Sequence, residues 1–259
     1  MGQMRIAITR EVSEAIVHCQ LTYLERAPID VELARIQHEN YEACLVSLGC
    51  AVQRLPAGPD MPDSVFVEDI AVVLDEVAVI ARPGAMIRRL EIPGVAAALE
   101  PYRRLLRIVH PGTLDGGDVI RIGSQLFIGL SERTNRSGIQ QLQRVLKPFG
   151  YIVEGVNIQG CLHLKSAVTL VAEGTLLVNP NWVDSRVFGE KRMIEVHPSE
   201  QQAANALWID KFVIYPNAYP ATQERMERAG IQVIPLDVSE ITKAEGGVTC
   251  CSLIFNDKP

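Results

Sequence analysis

Three things are missing from this 259-residue chain. No apolar run approaches the ~20 residues that a helix needs to cross a bilayer, so a helical membrane protein is not expected. The cysteines Cys19, Cys44, Cys50, Cys161, Cys250 and Cys251 are irregularly spaced and form no CxxC pair, which points away from a zinc knuckle or a thioredoxin-like site. Lys and Arg are scattered, and the net charge is −6. Nucleic acid, which needs a concentrated basic face, is therefore not the expected partner; a small cationic ligand suits the balance better. The opening MGQMRIAITR has charges where a secretion signal would have its apolar stretch, so a cytoplasmic protein with free, packed thiols is expected.

A hydrophobic content of 47% with 22% charged residues is ordinary for a folded soluble protein, and the length allows one substantial core. A single domain over residues 1–259 is expected. A homo-oligomer is left open.

The chain carries a repeat. From Asp69, DIAVVLDEVAVIAR has two apolar strands around an acidic turn; a helix-compatible VAAALEPYRRLL and a strand-like RIVH follow. From Asp118, DVIRIGSQLFIGL repeats the hairpin, SGIQQLQRVLKPFG gives a helix with Gly150 as its C-cap, and YIVEGV supplies the third strand. From Ser166, SAVTLVAEGTLLVNP gives the hairpin with a poorly marked helix; from Ala204 the full pattern returns in ANALWIDKFVIYP, ATQERMERAG and IQVIPLDV. The fifth unit is split. CCSLIF near the C-terminus lacks a partner strand, MRIAITR near the N-terminus lacks a predecessor, and a helix over VELARIQHENYEACLVSL with the strand CAVQRLP completes them. Small hairpins of this kind are not stable alone. Set around an axis they bury their apolar faces and protect their edges, which predicts a five-bladed α/β propeller of ββαβ-type units closed by pairing of the termini. A doubly wound sheet fits less well, since its parallel strands need helical crossovers where this chain has hairpins.

Chemically suspect residues sit at one position of the unit, before or at its first strand: Glu68-Asp69, Asp115 in LDGGD, His163 in CLHLKS, and Cys250-Cys251. Equivalent positions in a ring share one rim, so these residues should converge on one pocket. A thiolate is a strong nucleophile, an imidazole moves a proton near neutral pH, and carboxylates orient an imidazole or hold a planar cation. Cys250 or His163 alone would read as a core residue; their shared place in the repeat changes that.

TLDGGDV, GCLHLKSA, VFVEDIAVV with RPGAMIRR, GLSERTN and ITKAEGGVTCCSL together resemble the dimethylarginine dimethylaminohydrolases of the guanidine-modifying superfamily, whose fold is a five-bladed α/β propeller. The similarity runs from about Ile6 to Phe255. It implies hydrolysis of asymmetric dimethylarginine or monomethylarginine to citrulline and an alkylamine, with Cys250 as nucleophile, His163 as general acid and base, and Asp115 orienting the imidazole. It further implies Glu68 and Asp69 at the guanidinium, with Asp63 as a third carboxylate. Arg88 and Arg133 would receive the α-carboxylate, Glu245 would hold the α-amino group, and Leu21, or alternatively Leu24, would cover the site from a lid loop. Cys251 is expected to point away from Cys250 if the pair lies in a strand. No metal or organic cofactor is implied. The rivals are another guanidine hydrolase, such as an arginine deiminase-like enzyme, and a non-catalytic methylarginine-binding protein. A full-length arginine deiminase would carry an extra helical insertion, for which this chain is short and regular.

Overall fold

The computed structural model of the chain describes residues 4–257. β1 (Arg5–Arg10) leads to α1 (Val31–Ser47) and β2 (Cys50–Leu55). Asp30 caps α1 by accepting from Leu33 N at 3.0 Å, satisfying one of the helix's orphan donors. Then come β3 (Ala71–Val73), β4 (Val77–Ile80), α2 (Ile92–Leu99) and β5 (Arg104–Arg107). They are followed by β6 (Val119–Ile122), β7 (Gln125–Leu130), α3 (Arg136–Leu146) and β8 (Ile152–Asn157). The one-turn α4 (Leu164–Ala167) precedes β9 (Val168–Ala172), β10 (Thr175–Val178) and β11 (Arg192–Glu195). Last are β12 (Leu207–Ile209), β13 (Phe212–Pro216), α5 (Pro220–Arg228), β14 (Gln232–Leu236), the short α6 (Ser239–Thr242) and β15 (Leu253–Asn256).

The strands form five sheets of three, ordered β15-β1-β2, β3-β4-β5, β6-β7-β8, β9-β10-β11 and β12-β13-β14. Each pairs an antiparallel hairpin with a parallel third strand. In the first sheet the hairpin partner comes from the far end of the chain, Ile6 lying opposite Phe255 and Ile8 opposite Leu253. The split unit read from the sequence is therefore joined as expected.

Apolar residues of successive sheets interlock. Ile8 and Leu253 pack with Ala78 and Ile80; Val77 and Val79 with Leu126 and Ile128; Phe127 with Val168 and Leu176; Leu177 with Val213 and Tyr215. A fifth cluster joins Ile209 and Ile214 of the last sheet to Ala7 of the first, with Tyr41 and Leu45 of α1. No helix among the described residues is long and apolar enough to cross a membrane.

Three local expectations need correction. The helix of the unit beginning at Asp69 ends at Leu99 rather than running through VAAALEPYRRLL, because Pro101 has no N–H to continue it, and the strand begins at Arg104. After β10 the poorly marked helix is only a 3-10 turn, Ser185–Phe188. Strand β15 starts at Leu253, so Cys250 and Cys251 lie in the turn before it and strand alternation does not govern them.

Arg103 fastens the first two sheets. Its buried guanidinium donates to Leu74 O at 2.8 Å and Asn256 O at 2.7 Å and lies 5.4 Å from the Phe255 ring. Arg103→Ala takes the donor from three carbonyls, those of Leu74, Tyr102 and Asn256, and a loss of about 2–4 kcal/mol is expected in urea unfolding; a loss below about 0.5 kcal/mol would show that the fastening contributes nothing.

Candidate active site

The turns that enter each sheet's first strand pack on one another. Val67–Ile70 carries Glu68 and Asp69, Gly116–Asp118 follows Asp115, His163 precedes α4, and Cys250 precedes β15. Glycines allow the approach. A Cβ on Gly116 would stand 2.0 Å from Glu68 O, and one on Gly117 would stand 2.7 Å from both Asp69 Oδ1 and His163 Nδ1. The Cys250 turn is held from below by Tyr41, whose hydroxyl donates to Val248 O at 2.9 Å and meets Ser252 Oγ at 2.7 Å. Cys250 O in turn accepts from Glu68 N at 3.1 Å.

His163 lies between two carboxylates. Its Nε2 is 3.2 Å from Asp115 Oδ2, and its Nδ1 is 3.8 Å from Asp69 Oδ1. Asp115 Oδ1 accepts from Gly84 N at 2.9 Å, and Asp69 accepts from Gly117 N at 3.0 Å and from Arg88. All three residues are buried. Burial alone would strip the imidazole of its proton, but Asp69, Asp118 and Asp115 outweigh it and push His163 up to about 9. Burial likewise opposes the charge of Asp69, yet His163 and Arg88 hold it below the usual carboxylate range. One donor atom from each of Asp69, Asp115 and His163 falls within 4.8 Å of the others. Those carboxylates are already committed to the imidazole, to Arg88 and to backbone N–H groups, so the cluster reads as a proton-handling site.

A small cavity brings together Cys250, His163, Asp69, Asp63, Arg88, Arg133 and Glu245. Asp115 stands behind His163, fully buried. Glu68 is turned elsewhere: its carboxylate bonds Lys165 Nζ at 2.5 Å and Thr249 Oγ1 at 2.9 Å, and it lines a separate 560 Å³ cavity. Arg88 is spent largely inside the protein, donating to Glu91, Asp69 and the carbonyls of Asp63 and Phe66. Arg133 is half-buried and donates to Thr22 Oγ1 at 3.2 Å.

Two of the predicted ligand groups hold the loop over the site. Asp63 accepts from Gln20 N at 3.0 Å. Glu245, with a left-handed φ of 57°, accepts from the N–H groups of Thr22, Tyr23 and Leu24. Leu21 packs onto the apolar cluster beneath, whereas Leu24 lines a 200 Å³ cavity that also touches Cys250.

Sequence reasoning passed over Asp118, Ser131, Thr134, Lys165, Thr249 and Asn205. Asn205 occupies the equivalent of the site position in the unit of β12, donating to Thr249 Oγ1 at 2.9 Å and accepting from Thr249 N at 3.1 Å. Extending the repeat argument to the unit beginning at Ala204 would have found it.

Residues 103–208 match the family model described as arginine deiminase. The chain is 36% identical over 228 residues to the N(G),N(G)-dimethylarginine dimethylaminohydrolase of Pseudomonas aeruginosa, covering 87% of this chain and 90% of that protein. It is 37% identical over 249 residues to the protein of the same name from Streptomyces coelicolor, covering 95% of each. The chain belongs to the dimethylarginine dimethylaminohydrolase family. A cysteine-to-serine mutant of the Pseudomonas aeruginosa family member, complexed with citrulline, superposes with a TM-score of 0.93 at 34% identity over 97% of this chain and all of that one. The N-terminal domain of an arginine dihydrolase from the ornithine-ammonia cycle in cyanobacteria, 20% identical with a TM-score of 0.84, shares the fold.

In this member of the dimethylarginine dimethylaminohydrolase family Cys250 is half-buried, its Sγ accepting from Gly247 N at 3.3 Å. Burial together with the charges of Glu68 and Asp69 pushes the thiol up to about 12, so Cys250 in these surroundings is a neutral thiol at pH 7. Alkylation of Cys250 by iodoacetamide, followed by mass spectrometry, should rise about tenfold per pH unit without a plateau below pH 10; a plateau near pH 7 would contradict this electrostatic picture. Glu245→Gln weakens the anchorage of residues 22–24, and tryptic cleavage after Arg26 should accelerate several-fold, whereas an unchanged rate would show that the carboxylate does not hold the loop.

Proposed function

We propose that this protein hydrolyses asymmetric dimethylarginine and monomethylarginine to citrulline and dimethylamine or methylamine. The observation that carries the reading is the convergence, in a chain of this family, of Cys250 and an imidazole flanked by Asp69 and Asp115 on one cavity. Relatives solved with citrulline and with an S-methyl-L-thiocitrulline adduct support it.

Asp69 receives the guanidinium and Arg133 the α-carboxylate; Arg88 keeps Asp69 ionised and in place. Asp63 and Glu245 act through the loop they hold, and Leu21 and Leu24 belong to that loop. Glu68 supports the Cys250 turn through Thr249. The arriving cation counters the burial and the charges of Glu68 and Asp69 that keep Cys250 protonated, and the thiol proton leaves to solvent. Thiolate attack on the guanidinium carbon forms the C–S bond. Protonated His163 gives its proton to the departing dimethylamine as the C–N bond breaks, which leaves a covalent thiouronium. Neutral His163 then takes a proton from water as hydroxide adds, and the adduct collapses to citrulline and thiolate while its hydroxyl proton goes to the released amine.

The five sheets, each packed on the next and the last on the first, support a five-bladed α/β propeller closed by the terminal strands and acting as a single catalytic domain. All six cysteines are free, which suits a reducing, cytoplasmic setting. The stretch matched by the arginine deiminase family model favours one second reading, release of ammonia from arginine.

A citrulline assay on dimethylarginine, monomethylarginine and arginine tests both. Turnover is expected with the methylated substrates and should fall at least about a thousandfold in Cys250→Ser. Because the raised pKa keeps His163 protonated below about 9, kcat should hold up to that pH and decline above it. Absence of citrulline from all three substrates, with folded protein, would refute the proposal; turnover of arginine alone would favour the second reading.

A further inference from the structure

The mechanism makes no use of Asp118, yet this carboxylate is fully buried at the centre of the site's wiring. Its Oδ1 accepts from Leu164 N, the amide next to His163, at 2.9 Å. Its Oδ2 accepts from Ser131 Oγ at 2.6 Å. Ser131 Oγ accepts from Arg133 N and Thr134 N, each at 3.0 Å, and so shapes the turn that presents Arg133. Thr134 Oγ1 accepts from Asp115 N at 3.1 Å, and Asp115 returns to His163 at 3.2 Å. The bonds make a closed circuit from Asp118 through Ser131, Thr134, Asp115 and His163 to Leu164 and back. Space is kept for it: a Cβ on Gly129 would fall 2.6 Å from Asp118 Oδ1.

We propose that Asp118 is a positioning residue that couples the proton-transfer end of the site to its carboxylate-binding end, fixing His163 through Leu164 and Arg133 through Ser131. This rests on the hydrolase reading for its kinetic consequences, not for its geometry. Asp118 shares no lining with the cavity that Cys250 and His163 border, so it acts through these residues and does not touch substrate. A carboxylate can accept from a backbone amide and a hydroxyl together; an asparagine of the same shape cannot accept the hydroxyl on its nitrogen side, and it removes one of the negative charges facing the imidazole. The charged groups around that ring are Asp69, Asp115 and Asp118, with Arg88 behind Asp69; Cys250 borders the same cavity.

The test compares wild type, Asp118→Asn and Ser131→Ala. In Asp118→Asn, kcat should fall and KM rise, each roughly tenfold, because both ends of the site lose their register. The alkaline limb of the pH profile and the His163 imidazole titration by NMR should both move down by about one pH unit. Ser131→Ala removes the hydroxyl that shapes the Arg133 turn but keeps the Asp118 charge and its bond from Leu164 N, so it should lower kcat/KM chiefly through KM and leave the His163 titration in place. An unmoved His163 titration in folded Asp118→Asn would overturn the proposal, whatever the activity. An unchanged KM in Ser131→Ala would do the same, and that variant carries the test if Asp118→Asn does not fold. Failure of the hydrolase reading is distinct: wild type then makes no citrulline, while the imidazole titrations still decide the role of Asp118.

Discussion

The backbone of Gly116 runs against the Glu68 carbonyl with no room for a side chain, and the site depends on that contact. A methyl group at Gly116 would stand 2.0 Å from the carbonyl oxygen, and neither partner is the free end of a flexible chain. Closing this gap sets Asp115 at Nε2 of His163 and Asp69 towards its Nδ1. The imidazole consequently holds its proton to about pH 9, even though it is buried. Burial, with the charges of Glu68 and Asp69, keeps the neighbouring thiol protonated. Placing a positive charge beside these carboxylates would lower the penalty on the thiolate.

The acidic residues divide by function through small differences in direction. Asp69 and Asp115 face the imidazole, Glu68 faces Lys165 and Thr249, and Asp63 and Glu245 hold the loop over Cys250. Buried carboxylates need partners, and each has found them among backbone N–H groups, hydroxyls or cations. The coupling of rim and loop follows: Arg133 reaches Thr22 on the loop, and its own turn is shaped by Ser131.

Much of this was legible in the chain. The hairpin pattern announced the five sheets, the unmatched CCSLIF and MRIAITR announced the pairing of the ends, and the position common to Asp69, Asp115, His163 and Cys250 announced their convergence. The direction of Glu68 was not legible, because adjacent residues in a tight turn point apart by amounts that local sequence does not encode. Nor was the commitment of Arg88 to Glu91 and Asp69, since an arginine in a motif looks the same whether its donors face a ligand or the protein. Nor was the part played by Asp118 within LDGGD, its partners Ser131 and Leu164 lying 13 and 46 positions away.

By itself the sequence determined which elements form and which of them must associate, because apolar periodicity and turn residues act over short stretches and an edge strand without a partner must find one. It also determined the inventory of the site: one thiol, one imidazole and a set of carboxylates at matching positions. Only the tertiary structure decided the protonation states and the division of labour. Those depend on burial and on which charges lie within a few ångströms, and such distances arise when glycine-lined turns from separate sheets are pressed together.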